Sequence, residues 1–293
     1  MKPPPFQYHD PKTVAEAVNL LGTLDNAKLL AGGQSLMPML NFRFVLPDHV
    51  IDLNRIAELS YIREKDGALE IGAMTRQRDL EFSDLVKAKC PLLWEGLQHT
   101  GHRQTRNRGT IGGSLCHLDP SAEQVTVCAA HDATVSVAGP NGTREIAFAD
   151  FPAGYLTPAI ELNEIVTAVR IPLWPVGHKA AFIEFARRHG DFAIVSAAAL
   201  LMIEGGKITR ASVTLGGVAV APVRASEVEA AITGQAPSSE LFAKACESCR
   251  GIDALADIHA SSEYRQHLAA VLSRRALEKA AGLADNAPWN GKH

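Results

Sequence analysis

Apolar and polar positions along this chain follow two rhythms, and the changes between them mark its elements. Thr13-Val14-Ala15-Glu16 is a capping-box pattern ahead of an apolar stretch of helical period that runs to Leu24, so the first element reads as a helix. A short apolar run, Lys28-Leu29-Leu30-Ala31, then meets Gly32-Gly33-Gln34-Ser35-Leu36, which reads as a strand, a glycine turn and a helix start. Val50-Ile51-Asp52-Leu53 is the next buried strand, so residues 1–55 form a small α/β unit.

From Tyr61 the texture changes. Tyr61-Ile62-Arg63 and Ala68-Leu69-Glu70-Ile71 flank Asp66-Gly67, a hairpin signal. Short helices are predicted over 75–88 and 91–98, followed by a second glycine turn, Gly109-Thr110-Ile111-Gly112-Gly113-Ser114. A second hairpin turns at Pro140-Asn141-Gly142, and a strand over 164–172 ends in Pro172-Leu173-Trp174-Pro175, where the domain boundary is placed. Strand-like runs at 181–187, 194–203 and 208–215 give way to helical patterns at 225–232, 239–249 and 263–281. This predicts a three-stranded antiparallel sheet followed by a helical layer. The expected class is α+β, with domains 1–177 (subdomains 1–55 and 56–177) and 178–285 and a loose tail, 286–293.

The 293 residues carry 29 Lys and Arg against 32 Asp and Glu, a net charge of −3, so no global basic field exists to hold nucleic acid. The chain opens with Met1-Lys2-Pro3-Pro4-Pro5 rather than a charged segment and an apolar core, and no run of about 18 apolar residues follows. The expectation is a soluble, cytoplasmic protein with no transmembrane segment. Five cysteines (Cys90, Cys116, Cys128, Cys246 and Cys249) are an odd number and sparse, which does not suit a disulfide scaffold. Cys246-x-x-Cys249 has no second pair at motif spacing and falls in a helical pattern, so two helix cysteines are the better reading.

The glycine turns carry the candidate chemistry. Glycine pairs at a strand end let the backbone approach a ligand and aim successive N–H groups at it, which is how a pyrophosphate is held without spending lysines. Each turn alone reads more readily as a tight turn than as a ligand site. Two of them, edged by the hydroxyls of Ser35, Thr110 and Ser114, favour one shared dinucleotide site. Neither fits G-x-G-x-x-G, so a Rossmann NAD site is disfavoured.

Taken in order, several motifs resemble the medium, FAD-binding subunit of the molybdenum hydroxylases, the group of carbon monoxide dehydrogenase, quinoline oxidoreductase and xanthine dehydrogenase. They are Ala31-Gly32-Gly33-Gln34-Ser35-Leu36; Arg106-Asn107-Arg108-Gly109-Thr110-Ile111-Gly112-Gly113-Ser114-Leu115 with His117 and Asp119-Pro120; Arg187-Arg188-His189-Gly190-Asp191-Phe192-Ala193; Leu215-Gly216-Gly217-Val218-Ala219; and Ser262-Glu263-Tyr264-Arg265. The resemblance implies a vanillyl-alcohol-oxidase-type FAD-binding domain of two α/β subdomains before the C-terminal sheet and helices.

It further implies that backbone amides of both turns hold the flavin pyrophosphate. The implied contacts are Leu29, Ala31, Gly32, Gly33, Gln34, Ser35 and Leu36, then Thr110, Ile111, Gly112, Gly113, Ser114, His117 and Asp119. Glu123 stands where relatives carry an Asp near the ribose, Val166 where a backbone meets the isoalloxazine, and Phe192 where one flavin face is covered. Core packing is the competing role for Phe192. His259 stands where relatives tend to have Arg, and no role is assigned to it.

His102 and His117 either polarise the flavin or hydrogen-bond the loop. Arg103, Arg106 and Arg108 steady phosphates, meet a partner subunit or form a solvated face; Trp94, Trp174 and Trp289 read as packing. The implied function is electron transfer in a heterotrimer, and in a dimer of such heterotrimers. A large molybdenum-binding subunit with molybdopterin oxidises the substrate, a small subunit with two [2Fe-2S] clusters relays electrons, and FAD here passes them to an external acceptor. No cysteine here has ferredoxin spacing, in line with clusters on another chain. No catalytic acid, base or nucleophile and no metal ligand is expected in this chain. A stand-alone flavin dehydrogenase or reductase of the same fold is the alternative, and a flavin-free interaction module the other class.

Overall fold

The computed structural model describes residues 1–283; the tail at 286–293, and Trp289 with it, lies outside the described residues. The first sheet is parallel. It contains β1 (Gln7–His9), β2 (Ala27–Leu30) and β3 (His49–Asp52) in the order β1-β3-β2, with Leu29 opposite Ile51 and Leu30 opposite Asp52. Helices α1 (Val14–Thr23) and α2 (Leu36–Asn41) connect the strands. β1 has no counterpart in the sequence reading, because three residues next to a proline cluster carry no period.

The capping box of α1 is also shifted. Thr13 Oγ1 accepts from the Glu16 amide at 3.1 Å as predicted, but Glu16 Oε2 accepts from the Lys12 amide at 2.7 Å, one residue earlier than the motif requires.

In the second unit, β4 (Ile62–Lys65) and β5 (Ala68–Gly72) form the predicted hairpin, with Asp66 and Gly67 at φ +48° and +71°. The helix predicted over 75–88 is two helices, α3 (Gln77–Phe82) and α4 (Asp84–Lys89). Between them Ser83 adopts extended backbone and caps α4 by accepting from the Val86 amide at 3.3 Å. Next come α5 (Pro91–His99), α6 (Arg103–Arg108), α7 (Ile111–His117) and α8 (Glu123–Ala130). The segment read as a second glycine turn is therefore a helix start.

Strands β6 (Thr134–Gly139) and β7 (Gly142–Ala147), the small pair β8 (Pro152–Gly154) and β9 (Thr157–Pro158), and β10 (Ile165–Pro172) follow. The sheet runs β4-β5-β10-β6-β7, all antiparallel. A register shift between Val166 and Ala168 lets Val166 share a core with Val169 and Ile171, beneath α5, α7 and α8.

The third sheet is antiparallel: β11 (Lys179–Phe185), β12 (Val195–Glu204), β13 (Lys207–Gly216) and β14 (Val223–Arg224). The three strands predicted are thus four, because two-residue β14, with Val223 opposite Leu215, is too short to show an alternating pattern. Helices α9 (Ser226–Ile232), α10 (Ser239–Cys246) and α11 (Ser262–Ala281) complete the chain.

β12 joins the layers. Ala198 and Leu200 pack into the core of the second unit, while Ala197, Ala199 and Leu201 pack into the core that contains α10 and α11. Burial on both faces is why this strand reads as a continuous apolar run.

Among the described residues no helix is long and apolar enough to cross a membrane, and no group of three His, Cys, Asp or Glu is placed to hold a metal ion. Cys246 ends α10 and Cys249 lies in the short 3₁₀ turn after it. Both are buried free thiols, and burial, then the neighbouring Cys249, pushes the Cys246 thiol up.

Candidate functional site

The fold brings the two glycine segments into contact, backbone against backbone. A Cβ at Gly32 would stand 2.2 Å from the Arg108 carbonyl oxygen and 2.7 Å from the Gly109 Cα, and one at Gly113 would stand 3.2 Å from the Ala31 Cβ. Gly32 is thus required by the approach of the segments to each other. Gly33 is required by conformation, at φ +73°.

The first segment leaves donors free. Among the described residues the amides of Gly32, Gly33, Gln34, Ser35 and Leu36 reach no acceptor in the chain, whereas Met37 and Met39 already donate to Gly33 and Ser35 carbonyls in the turn of α2. Ser35 stands at the N-cap of α2 without a side-chain capping bond, so its hydroxyl is free as well. Leu29 lies in β2, just ahead of this row.

The second segment is built differently. The amides of Ile111 and Gly112 donate to the carbonyls of Thr75 (3.2 Å) and Ala73 (2.9 Å), Gly113 donates to Thr110 Oγ1 (3.0 Å) and Ser114 to the Thr110 carbonyl (3.1 Å). A Cβ at Gly112 would sit 2.6 Å from the Ala73 Cβ. The expectation that both segments present successive free amides therefore holds for the first only. The second spends two amides, of Ile111 and Gly112, on packing α7 against the segment after β5, and two, of Gly113 and Ser114, on its own N-terminal turn. Its Thr110 is buried, and Ser114 is half-buried, its hydroxyl meeting no partner among the described residues.

Beside the first segment lies a cleft of about 340 Å³ lined by Gly32, Gly33, Gln34, Asp52, Asn54 and Arg108 among others. Two of its supports are absent from the sequence reading. Asn54, just past β3, donates from Nδ2 to the Ala31 carbonyl at 2.9 Å, and Arg76, before α3, donates to Asn54 Oδ1 and, at 2.5 Å, to the Arg108 carbonyl. Neither belongs to a glycine motif, and nothing in the local pattern distinguishes them.

The basic cluster separates by role. Arg106 forms a two-point ion pair with Glu81 (2.8 and 3.2 Å) and donates to the Thr100 carbonyl, so it is structural; Arg108 faces the cleft.

His117, Asp119, Glu123, Val166 and Phe192 do not line this cleft. His117 is in the last turn of α7, and Asp119 accepts from the Ser121 amide at 2.8 Å in the turn before α8. Glu123 is buried and accepts from Thr100 Oγ1 at 3.0 Å. Burial, reinforced by the negative charge of Glu184, pushes its carboxyl up to about 7. Val166 is buried in β10.

Phe192 is 62% exposed, which removes the core role considered for it. The loop that bears it is tied down. Gly190, at φ +86°, packs on the His102 ring, and Arg265 is buried with its guanidinium on the Gly217 carbonyl at 2.7 Å, the Ile194 carbonyl and Asp257. Burial would raise the Asp257 carboxyl, but the amides of His259 and Ala260 together with Arg265 outweigh it and hold it low. His259 Nδ1 meets Arg187 at 3.3 Å. Trp174 is buried beneath the Arg210 guanidinium, 4.0 Å from its ring centre, and half-buried Trp94 donates to the Glu81 carbonyl, so both pack as predicted.

Two family models divide the chain: the FAD binding domain in molybdopterin dehydrogenase matches residues 4–174, and the CO dehydrogenase flavoprotein C-terminal domain matches 180–280. The chain is a medium, FAD-binding subunit of the molybdopterin dehydrogenase family. The carbon monoxide dehydrogenase medium chain of Afipia carboxidovorans is 39% identical over 98% of this chain and 100% of its own. The 6-hydroxypseudooxynicotine dehydrogenase complex subunit alpha of Paenarthrobacter nicotinovorans is also 39% identical, over 96% of both. Among solved structures, quinoline 2-oxidoreductase from Pseudomonas putida 86 superposes with TM-score 0.93 at 35% identity, covering 97% of this chain and 99% of that one.

The free amide row and the cleft beside it suit the group this family binds. Five N–H donors without a partner, next to an arginine, are what a diphosphate accepts from.

Proposed function

We propose that this medium subunit carries FAD as the last relay of a heterotrimeric molybdenum hydroxylase, itself paired as a dimer of heterotrimers. A large molybdopterin subunit would oxidise the substrate, and a small subunit with [2Fe-2S] clusters would deliver the electrons. Residues 1–177 would form a vanillyl-alcohol-oxidase-type FAD-binding domain and 178–285 the C-terminal flavoprotein domain. When bound, FAD supplies the exchange between single-electron carriers and a two-electron acceptor. The chain's own residues position and shield it.

The observation that carries the reading is the row of free amides from Gly32 to Leu36, which would hold the diphosphate. Thr110 and Ser114 would add hydroxyls from the second segment, Glu123 would stand near the ribose, the Val166 backbone would meet the isoalloxazine, and exposed Phe192 would cover one of its faces. Relatives of nearly equal similarity are named for different substrates, carbon monoxide, quinoline and 6-hydroxypseudooxynicotine among them, which favours substrate choice on another chain.

The test is purification of the full chain with and without its partners. The isolated chain should be yellow, release FAD on denaturation, and pass electrons from a chemical reductant to an artificial acceptor without any substrate-dependent turnover. Robust substrate oxidation by the isolated, metal-free chain would favour a stand-alone flavin dehydrogenase instead.

A further inference from the structure

Arg76 occupies an unusual place. It lies between Thr75, whose carbonyl anchors α7, and α3, and its backbone pairs with Thr110 in an isolated antiparallel bridge. Its side chain spans the gap between the two glycine segments. One arm donates to the Arg108 carbonyl, the residue against which Gly32 packs, and the other to Asn54 Oδ1. Asn54 in turn donates to the Ala31 carbonyl at 2.9 Å. Arg76 and Asn54 together form a strut from one segment to the other.

Both acceptors of Arg76 are neutral. Among the described residues neither Arg76 nor Arg108 makes an ion pair, although Asp52 and Asp79 are near enough to act on Arg76 at longer range. Asp52 is otherwise occupied, taking Tyr8 Oη at 2.6 Å and the Asn54 amide at 2.9 Å. Arg76 is half-buried, and burial followed by the charge of Arg108 holds its guanidinium below the ordinary arginine value. A strut that needed only neutral hydrogen bonds would not need a charge at this cost.

We propose that Arg76 is a positioning residue that sets the spacing of the two glycine segments for the flavin diphosphate and adds uncompensated positive charge beside it. This rests on the FAD reading above. An arriving diphosphate supplies the direct ion-pair partner that Arg76 and Arg108 lack among the described residues, and the strut keeps the free amides of 32–36 aimed at it.

The experiment uses the full chain, stripped of flavin, in wild-type, R76K and R76M forms. FAD is titrated by quenching of its fluorescence at low and high salt, and the flavin-free proteins are melted. R76M should bind FAD roughly tenfold more weakly, the weight of one charged hydrogen bond. Its affinity should also depend less on salt, with a flavin-free melting temperature close to wild type. R76K should keep the salt dependence and recover part of the affinity.

Unchanged affinity in R76M overturns the proposal, and so does an equal loss in both variants with the salt dependence intact, which describes a merely structural strut. Should R76M fail to fold, R76Q, which keeps a hydrogen-bonding arm without the charge, decides by the same two readouts: weaker binding with reduced salt dependence supports the proposal, and unchanged affinity or an intact salt dependence overturns it. Wild-type protein that takes up no FAD overturns this assignment and the FAD reading together, whereas FAD binding unaffected by Arg76 overturns this assignment alone.

Discussion

The two glycine segments look alike in sequence and differ in what their backbones do. Gly32 to Leu36 keeps five amides free and needs its glycines for a close approach and a positive φ. Ile111 to Ser114 have their amides satisfied by Thr75, Ala73 and Thr110, and Gly112 is needed to seat α7 on Ala73. The first is a row of donors without an acceptor among the described residues, and the second seats α7 against the segment after β5. A glycine pair is therefore not evidence of ligand contact until the destination of its N–H groups is known.

The sharpest way to break this comparison is Gly32→Ala. The added Cβ meets the Arg108 carbonyl and the Gly109 Cα, neither of which can rotate away, so the segments must separate at a cost of about 3 kcal/mol or more. Loss of both FAD and stability is expected by thermal melting and flavin content. An alanine variant of wild-type stability would show that the segments are not tightly apposed.

Next in size is a pH effect confined to the region behind the second segment. Glu123 titrates near 7 when folded, above its ordinary value of about 4.5. Folded protein thus holds a proton that unfolded protein releases between those pH values, and stability falls as pH rises through that window, by on the order of 3 kcal/mol. Glu123→Gln, neutral at every pH, should gain on wild type from pH 4.5 to pH 7 in denaturant melts and hold a constant advantage above. A gap that does not change with pH would place the Glu123 carboxyl in water.

Gly33→Ala sharpens the contrast within the first segment. Its Cβ meets only the Met37 and Leu30 side chains at 3.1 and 3.2 Å, so the cost is the left-handed backbone, about 1–2 kcal/mol. FAD should be weakened while the fold survives, and full flavin content would mean the amide row is not the site.

The smallest effects compare two hydroxyls. Thr110→Val removes the cap of α7 and should cost about 1 kcal/mol, whereas Ser35→Ala, which removes no capping bond, should stay within about 0.5 kcal/mol and show itself only in FAD affinity. Equal stability losses would erase the distinction between the segments.

Local pattern was sufficient where a structure is closed by neighbours in sequence. The Asp66-Gly67 hairpin, α1 with its Thr13 cap, and the strands β11 to β13 are all legible because alternation, period and turn chemistry act within a dozen residues. The ordered motifs likewise marked the family, since the backbone approach of glycine is written directly as glycine. Two-residue β14, the break at Ser83 and the helical start at Ile111 were not legible, because each depends on what the segment packs against.

The site divides along the same line. That Gly32 to Leu36 forms a sharp turn after a strand is a property of the sequence alone, enforced by which residues tolerate that backbone. That Gly32 abuts Arg108, that Asn54 and Arg76 brace the pair, that Gly112 belongs to α7, and that Phe192 stands in solvent were decided by tertiary structure. Each depends on contacts between residues 20 to 80 positions apart or on which surface the fold leaves uncovered, and hydrogen bonds to carbonyl groups leave no mark in the identity of the residue that accepts them.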